Sequence, residues 1–172
     1  MRTQLYIDGE LRTVDIEGGR ITTVNEEPKE VEIKTGWERL ELMQRYYTTD
    51  GESQPETYHP EDTERYENAD YFSSSALAAD VARAQKIWRK LLRWQAENDE
   101  PVDLDDKAIY HYYIYYDRGE NNILITVTYF NQNALCVYFN DKAKAEQALE
   151  IFHDDLLWLF TEFKYRLGGG AE

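Results

Sequence analysis

Tyr71-Phe72 and Tyr138-Phe139 are each followed, after three residues, by an alanine, Ala76 and Ala143, and the two copies lie 67 residues apart (138 − 71). The same offset, with no gap, pairs Tyr46 with Tyr113 and Asp50 with Asp117. A strand, a turn and a helix start that recur in register constrain the chain to two similar units. The spacing therefore predicts a duplicated strand, strand, helix module. One such unit is marginal alone, because a short ribbon with a single helix buries too little, whereas two units can share a core between sheet and helices.

Hydrophobic periodicity fills in the rest. Leu5 and Ile7, Val14 and Ile16, and Ile21 alternate with polar residues around Asp8-Gly9 and Gly18-Gly19, which predicts an N-terminal β-meander. A further alternating run places Val31 and Ile33 on a strand before Gly36 and Trp37. The polar stretch from Thr48 to Asn68, with Pro55 and Pro60, reads as a loop. From Ala76 to Ala96 the period changes: Leu77, Val81, Ala84, Trp88 and Leu91 recur at three and four, the mark of an amphipathic helix, with Ser73, Ser74 or Ser75 as its cap. Acidic residues crowd Glu97 to Asp106, where Pro101 prevents further helix. Tyr110 to Tyr116, Ile123 to Phe130 and a run from Ala134 then predict three strands of an antiparallel meander. A second helix runs from about Lys142 to Tyr165 with an apolar stripe through Ala145, Ala148, Leu149, Phe152, Leu156, Leu159, Phe160 and Phe163. Gly168, Gly169 and Gly170 end it. The expected fold is α+β: antiparallel sheets and two main amphipathic helices, divided into a meander (1–35), a first module (36–100) and a second module (101–172), all in one compact domain.

Charge narrows the function classes. Thirty-four Asp and Glu against 19 Lys and Arg give a formal net charge of -15, which repels phosphate backbones and anionic lipid and favours basic partners. Direct nucleic-acid binding is disfavoured on that ground. The 14 Tyr, 4 Trp and 6 Phe argue for a folded core rather than an acidic tail. No apolar run is long enough to span a bilayer, and Met1-Arg2-Thr3-Gln4 does not open a signal peptide, so a cytoplasmic location is expected. The single cysteine, Cys136, sits between Leu135 and Val137 and reads as a small buried hydrophobe.

No catalytic set stands out. His59, His111 and His153 lack the short spacing of a metal site, so neither metal nor cofactor is expected. His111 reads as a satisfied surface or ladder residue in a strand, and His153, beside Asp154 and Asp155, as part of a solvated helix face. Carboxylate pairs such as Asp154-Asp155 or Asp105-Asp106 carry little information in so acidic a chain. Two charge patterns remain as candidate binding surfaces. One is an array of carboxylates: Glu61, Asp62, Glu64, Glu67 and Asp70, with Asp99, Glu100, Asp103, Asp105 and Asp106. Such groups can occupy a groove built from lysine and arginine for phosphate. The other is a basic stripe, Arg83, Lys86, Lys90 and Arg93, recurring at helical spacing beside the apolar face. Solvated loops and a solvated helix face are the alternative readings of these patterns.

Several segments occur together in a recognisable order: Asn68-Ala69-Asp70-Tyr71-Phe72 before a small-residue helix start, Leu91 to Asp99 closing that helix, Tyr112 to Asp117, and Tyr138-Phe139 before an alanine-rich helix. Over roughly Trp37 to Phe163 the chain resembles uncharacterised small accessory proteins of phages, prophages and mobile elements of Firmicutes. It departs from them at Phe152-His153-Asp154-Asp155-Leu156, which leads into a longer last helix, and in the N-terminal meander. The resemblance implies an origin and an architecture; it supplies no activity. Joined to the charge, it leads to the expectation of a non-enzymatic accessory protein in the bacterial cytoplasm. Such a protein would bind and inhibit a host nucleic-acid-binding effector, such as a CRISPR nuclease (anti-CRISPR type) or a restriction enzyme. A virion assembly protein that self-associates through Tyr110 to Tyr116 or the helix face at Trp158, and an enzyme with a polar pocket between the modules, are the alternatives.

Overall fold

The computed structural model describes residues 2–7, 10–17, 20–23, 35–106, 108–128, 132–133 and 136–163. Strands β1 (Arg2–Ile7), β2 (Glu10–Glu17) and β3 (Arg20–Thr23) form an antiparallel sheet in that order, with Leu5 opposite Arg12 and Ile16 opposite Ile21. Val14 is fully buried. The strand read through Val31 and Ile33 lies outside the described residues, as do the ends expected at Phe130 and Tyr165 and the start at Ala134.

In the first half, β4 (Arg45–Tyr47) pairs with β5 (Ser53–Pro55), and on its other side Tyr47 bridges to Phe72 through two backbone hydrogen bonds of 2.8 and 2.9 Å. Between β5 and that bridge stands a helix, α1 (Pro60–Glu67), where the sequence reads as a loop. Its eight residues are too few and too polar to show an apolar period. Pro60 at its start needs no hydrogen-bond donor, and the Asp62 carboxylate reaches back to the His59 N–H at 3.2 Å, so local chemistry nucleates it instead. The long helix α2 (Ser75–Asn98) follows, with Ser74 as its N-cap. Gly36 sits against its first turn at φ +88, where a Cβ would fall 2.7 Å from Leu77 Cδ2, so only glycine fits. The buried side of α2 is Ala78, Ile87 and Leu91; Trp88, expected on the apolar face, is 39 % exposed.

The second half is built in the same order. β6 (His111–Asp117) lies between β7 (Asn122–Thr128) and β8 (Tyr138–Phe139), and α3 (Lys142–Thr161) starts from its N-cap Asp141, 67 residues after Ser74. The expected meander is corrected here: β8 pairs with β6, not with β7, so the chain after β7 returns to the opposite edge of the sheet. That edge is where Phe139 becomes completely buried beside β6, Trp94 and α3. Phe139 faces Tyr112, whereas Phe72 faces Tyr47; at the 67-residue offset these registers differ by two, an even shift that keeps each phenylalanine on the same side of its sheet.

One apolar core joins α2 to this sheet. Leu91 from α2, Ile114, Ile123, Val137 and Phe139 from the sheet side, and Ala145, Ala148 and Leu156 from α3 are all buried together, with Leu92, Trp94, Tyr112, Tyr116 and Ile125 packed on them. Register explains the selection, since Ile114 lies opposite Ile125 and Tyr116 opposite Ile123 on one face of the β6–β7 pair. Alanines at 145 and 148 let α3 approach closely. The helices α2 and α3 run antiparallel: Asp99 accepts from Asn140 N–H at 2.7 Å at one end, and Arg83 lies over the Trp158 ring at 3.8 Å towards the other. No helix among the described residues is long and apolar enough to cross a membrane.

Candidate functional site

The first half contains a polar core that charge counting did not reveal. Tyr46 and Tyr71 stack at 4.1 Å between ring centroids, and each hydroxyl ends on a buried carboxylate. Tyr46 donates to Asp62 Oδ1 at 2.8 Å, and Tyr71 donates to Glu56 Oε2 at 2.6 Å while accepting from Leu40 N–H. Burial works against the charged form of Asp62, yet donors from Thr57 Oγ1, Thr57 N–H, Tyr46 and His59 N–H outweigh it and hold the carboxyl below its usual range. Burial, reinforced by the neighbouring carboxylate, pushes the Tyr46 hydroxyl up to about 12 and raises Tyr71 as well. Nearby, Glu38 accepts from Thr35, Gly36 and Ser73; these bonds overcome its desolvation and also hold it well below the ordinary carboxylate range.

Around this core the chain exposes an aromatic and cationic surface. The guanidinium of Arg39 lies 5.7 Å from the Tyr58 ring centroid and 5.6 Å from that of Tyr66, and its Nη2 donates to Thr63 Oγ1 at 2.9 Å. Arg39 Nε sits 3.6 Å from Glu56 Oε2, too far for a good hydrogen bond, and is left buried without one. Tyr58 donates its hydroxyl to Glu41, and Met43 is 58 % exposed beside them in sequence. Nothing in sequence periodicity marks these residues; the only signal is that Tyr58 and Tyr66 are aromatic in an otherwise polar, acidic run.

The predicted acidic array divides into structural and free groups. Asp62 is corrected from a contact residue to a buried structural one, because all its acceptor capacity goes to the Tyr46, Thr57 and His59 donors. Asp70 accepts from the Thr49 N–H and hydroxyl, and Asp99 from Asn140 and Glu100. Asp103 and Asp106 accept from backbone N–H groups two residues on. Glu61, Glu64 and Glu67 are exposed and recur every three residues along the outer side of α1. Glu100 and Asp105 are exposed in the loop after α2. Helix α1 leads into the N-terminal end of α2 and Asp99 is the C-cap of α2, so the nine carboxylates other than Asp62 lie in two places, not one.

The basic stripe also divides. Arg83 and Lys90 turn towards α3, at 3.9 and 3.3 Å from the Asp155 carboxylate. Lys86 lines a shallow groove with Arg83, Arg89, Thr49 and Asp50, while Arg93 stays exposed. In the second half, His111 is the ladder residue expected, opposite Thr128 in the β6–β7 pair, but it is buried and not at the surface, with Nε2 2.9 Å from the Asp103 carbonyl and Nδ1 without a hydrogen bond. His153 is exposed and lies 3.1 Å from Asp154. Cys136 is half-buried, and desolvation raises its thiol pKa. It lines a cavity of about 1020 Å³ with Trp88, Tyr113, Tyr115 and Phe160. Among the described residues no group of three or more His, Cys, Asp or Glu could hold a metal ion. Comparison with family models, with curated proteins and with solved structures finds no match.

Proposed function

We propose that this chain is a non-enzymatic accessory protein of a phage or mobile element that binds a basic host protein and blocks its nucleic-acid groove, in the manner of an anti-CRISPR. The observation that supports this reading most is the outer side of α1. Glu61, Glu64 and Glu67 project there, exposed, with Glu61 in the first turn where its charge also suits the helix N-terminus, while Asp62 on the same helix carries the structural bonds. A row of carboxylates on a rigid element can engage lysines and arginines arranged for phosphate, and such a contact weakens with salt. The effector class, a CRISPR nuclease or a restriction enzyme, follows from the resemblance to mobile-element proteins.

The test is protection of a targeted phage in a Firmicute host whose CRISPR effector is active. Expression of the chain is expected to restore plaques, and the triple reversal E61K/E64K/E67K to abolish that protection with only a small fall in melting temperature from the lysine in the first turn of α1. Equal protection by the reversed variant, or none by the parent chain, would remove the acidic-groove reading. An assembly role is the second reading; Trp158, expected on its contact face, is buried beneath Arg83, while Tyr110 and, on α3, Ile151, Leu157 and Phe160 are exposed. Concentration-dependent self-association in light scattering would support it.

A further inference from the structure

Packed interiors keep few voids larger than a water molecule, because the walls of a void lose their dispersion contacts. The second half departs from that where α2, α3 and β6 meet. A cavity of about 1020 Å³ lies there, and four members of the main apolar core, Leu91, Ile114, Val137 and Leu156, form part of its wall. Two features of the backbone leave it open. Strand β7 pairs with all seven residues of β6, but β8 pairs with Tyr112 and Tyr113 alone, so among the described residues the rest of β6 has no strand on its β8 side. Just before β8 the Cys136 N–H bonds back to the Asn133 carbonyl at 3.0 Å, which turns the chain instead of carrying it along β6.

The walls are braced before anything enters. Tyr116 and Phe160 stack at 5.9 Å, the Tyr116 hydroxyl donates to Asn121 Oδ1, and Tyr113 meets Tyr138 edge-on at 5.6 Å. Rings held in this way need little further ordering by a ligand. The charge of the wall is as telling as its shape. Thirty-four of the 172 residues are Asp or Glu, yet neither type occurs among the described residues that line the cavity, and the one charged group there is Arg118. Asp117, beside it in sequence, gives its Oδ1 to the Gly119 and Glu120 N–H groups at 2.7 and 3.1 Å. Among the described residues no carboxylate lies within ion-pair distance of the Arg118 guanidinium.

We infer that this cavity is a binding site for a small organic acid, with an apolar body among the rings and a single anionic head on Arg118. Its volume is that of a small-molecule site, for which roughly 300–1,000 Å³ is usual. The planar fork of an arginine matches a carboxylate, and a cationic head would find no carboxylate on the wall to receive it. The site goes beyond the contact with a host protein and uses none of its carboxylates, so either can fail without the other.

Three probes with one body and different heads test it: pyrene-1-butyrate, pyrene-1-butanol and pyrene-1-butylammonium. They are titrated on the full chain in 0.15 M salt, where the net charge of the protein is screened beyond about 8 Å. Energy transfer from tryptophan to pyrene reads binding. The rate of Cys136 alkylation by iodoacetamide reads the place, since the one cysteine of the chain lines the cavity. The butyrate is expected to slow alkylation and to bind at least about ten-fold more tightly than the butanol, with the ammonium weakest. Arg118 is exposed in a turn, so R118Q leaves the core intact and is expected to bind butyrate and butanol within about two-fold of each other. No binding by any probe, or binding that leaves Cys136 alkylation unchanged, overturns the site. Butanol or ammonium bound as tightly as butyrate, or a preference for butyrate that survives R118Q, overturns the organic-acid assignment.

Discussion

Two tyrosine pairs at equivalent places in the two halves show how differently one strand order can be finished. Tyr46 and Tyr71 stack face to face at 4.1 Å, fully buried, with Tyr66 edge-on against Tyr71 and both hydroxyls on carboxylates. Tyr113 and Tyr138, 67 residues on, meet edge to face at 5.6 Å; Tyr113 is only half-buried, and the Tyr138 hydroxyl turns to the backbone of Asn133. The difference is α1. In the first half a short helix intervenes between the second strand and the Tyr-Phe segment, and it brings Asp62 and Tyr66 over the tyrosines. Among the described residues no helix stands between β7 and β8. Cohesion in the second half comes from the other face of its sheet, where Ile114, Ile123, Phe139 and Leu156 pack on α3 and α2. One half is held by a polar, geometrically exacting core, and the other by apolar area.

The broadest test of that contrast is pH, because it acts on several bonds of the polar core together. Asp62 and Glu38 have folded pKa values below their unfolded ones, so their stabilisation is complete above about pH 4 and is lost as pH falls through the folded values. Tyr46 and Tyr71 have raised values, so their contribution is complete below about pH 10 and is lost as pH rises beyond it. Amide exchange at pH 3 should therefore open residues around β4 and α1 before Ile114 and Ile123. Simultaneous opening of both halves would erase the distinction. Among substitutions, Phe139→Ala should cost the most, about 3–5 kcal/mol in urea unfolding, by leaving a cavity in a completely buried apolar site.

Glu56→Leu comes next at about 2–4 kcal/mol, since it leaves the buried Tyr71 hydroxyl and the Tyr58 N–H without their acceptor and Arg39 without the carboxylate beside it, whereas Glu56→Gln should recover part of that loss. Tyr46→Phe should cost about 1–2 kcal/mol and Tyr113→Phe less than about 0.5, which measures directly how far the two pairs have diverged. The smallest effect is expected at Asp155→Asn, under about 1 kcal/mol and vanishing in high salt, because its contacts with Arg83 and Lys90 are partly exposed.

The apolar half was the legible one. The tyrosine and isoleucine content of His111 to Asp117 marks a strand, and the alanine and leucine spacing of α3 follows from burial, which leaves a periodic trace. The pairing of β8 with β6 was not legible, because strand order depends on where a connection turns and not on the strands themselves. The polar half left almost no trace. Glu56 and Asp62 look like any carboxylate in an acidic run, and only the folded geometry that closes Tyr46 and Tyr71 over them separates these two from Glu61 and Glu64. Left-handed backbone at Met43 and Tyr58 is invisible to composition for the same reason: the residue types usually found there are absent.

Helix α2 belongs to the first half by chain order, yet its C-terminal turns carry Leu91, Leu92 and Trp94 into the core of the second. During synthesis that apolar end leaves the ribosome well before α3 exists to receive it. The polar assembly around Tyr46 and Tyr71 uses only residues that precede α2, so it can form as soon as they emerge. The tip of α2 must then wait, exposed, for β6, β8 and α3. A pause in translation within 99–140 would lengthen that wait, and slow codons there should lower the soluble yield more than the same codons placed before Ser75.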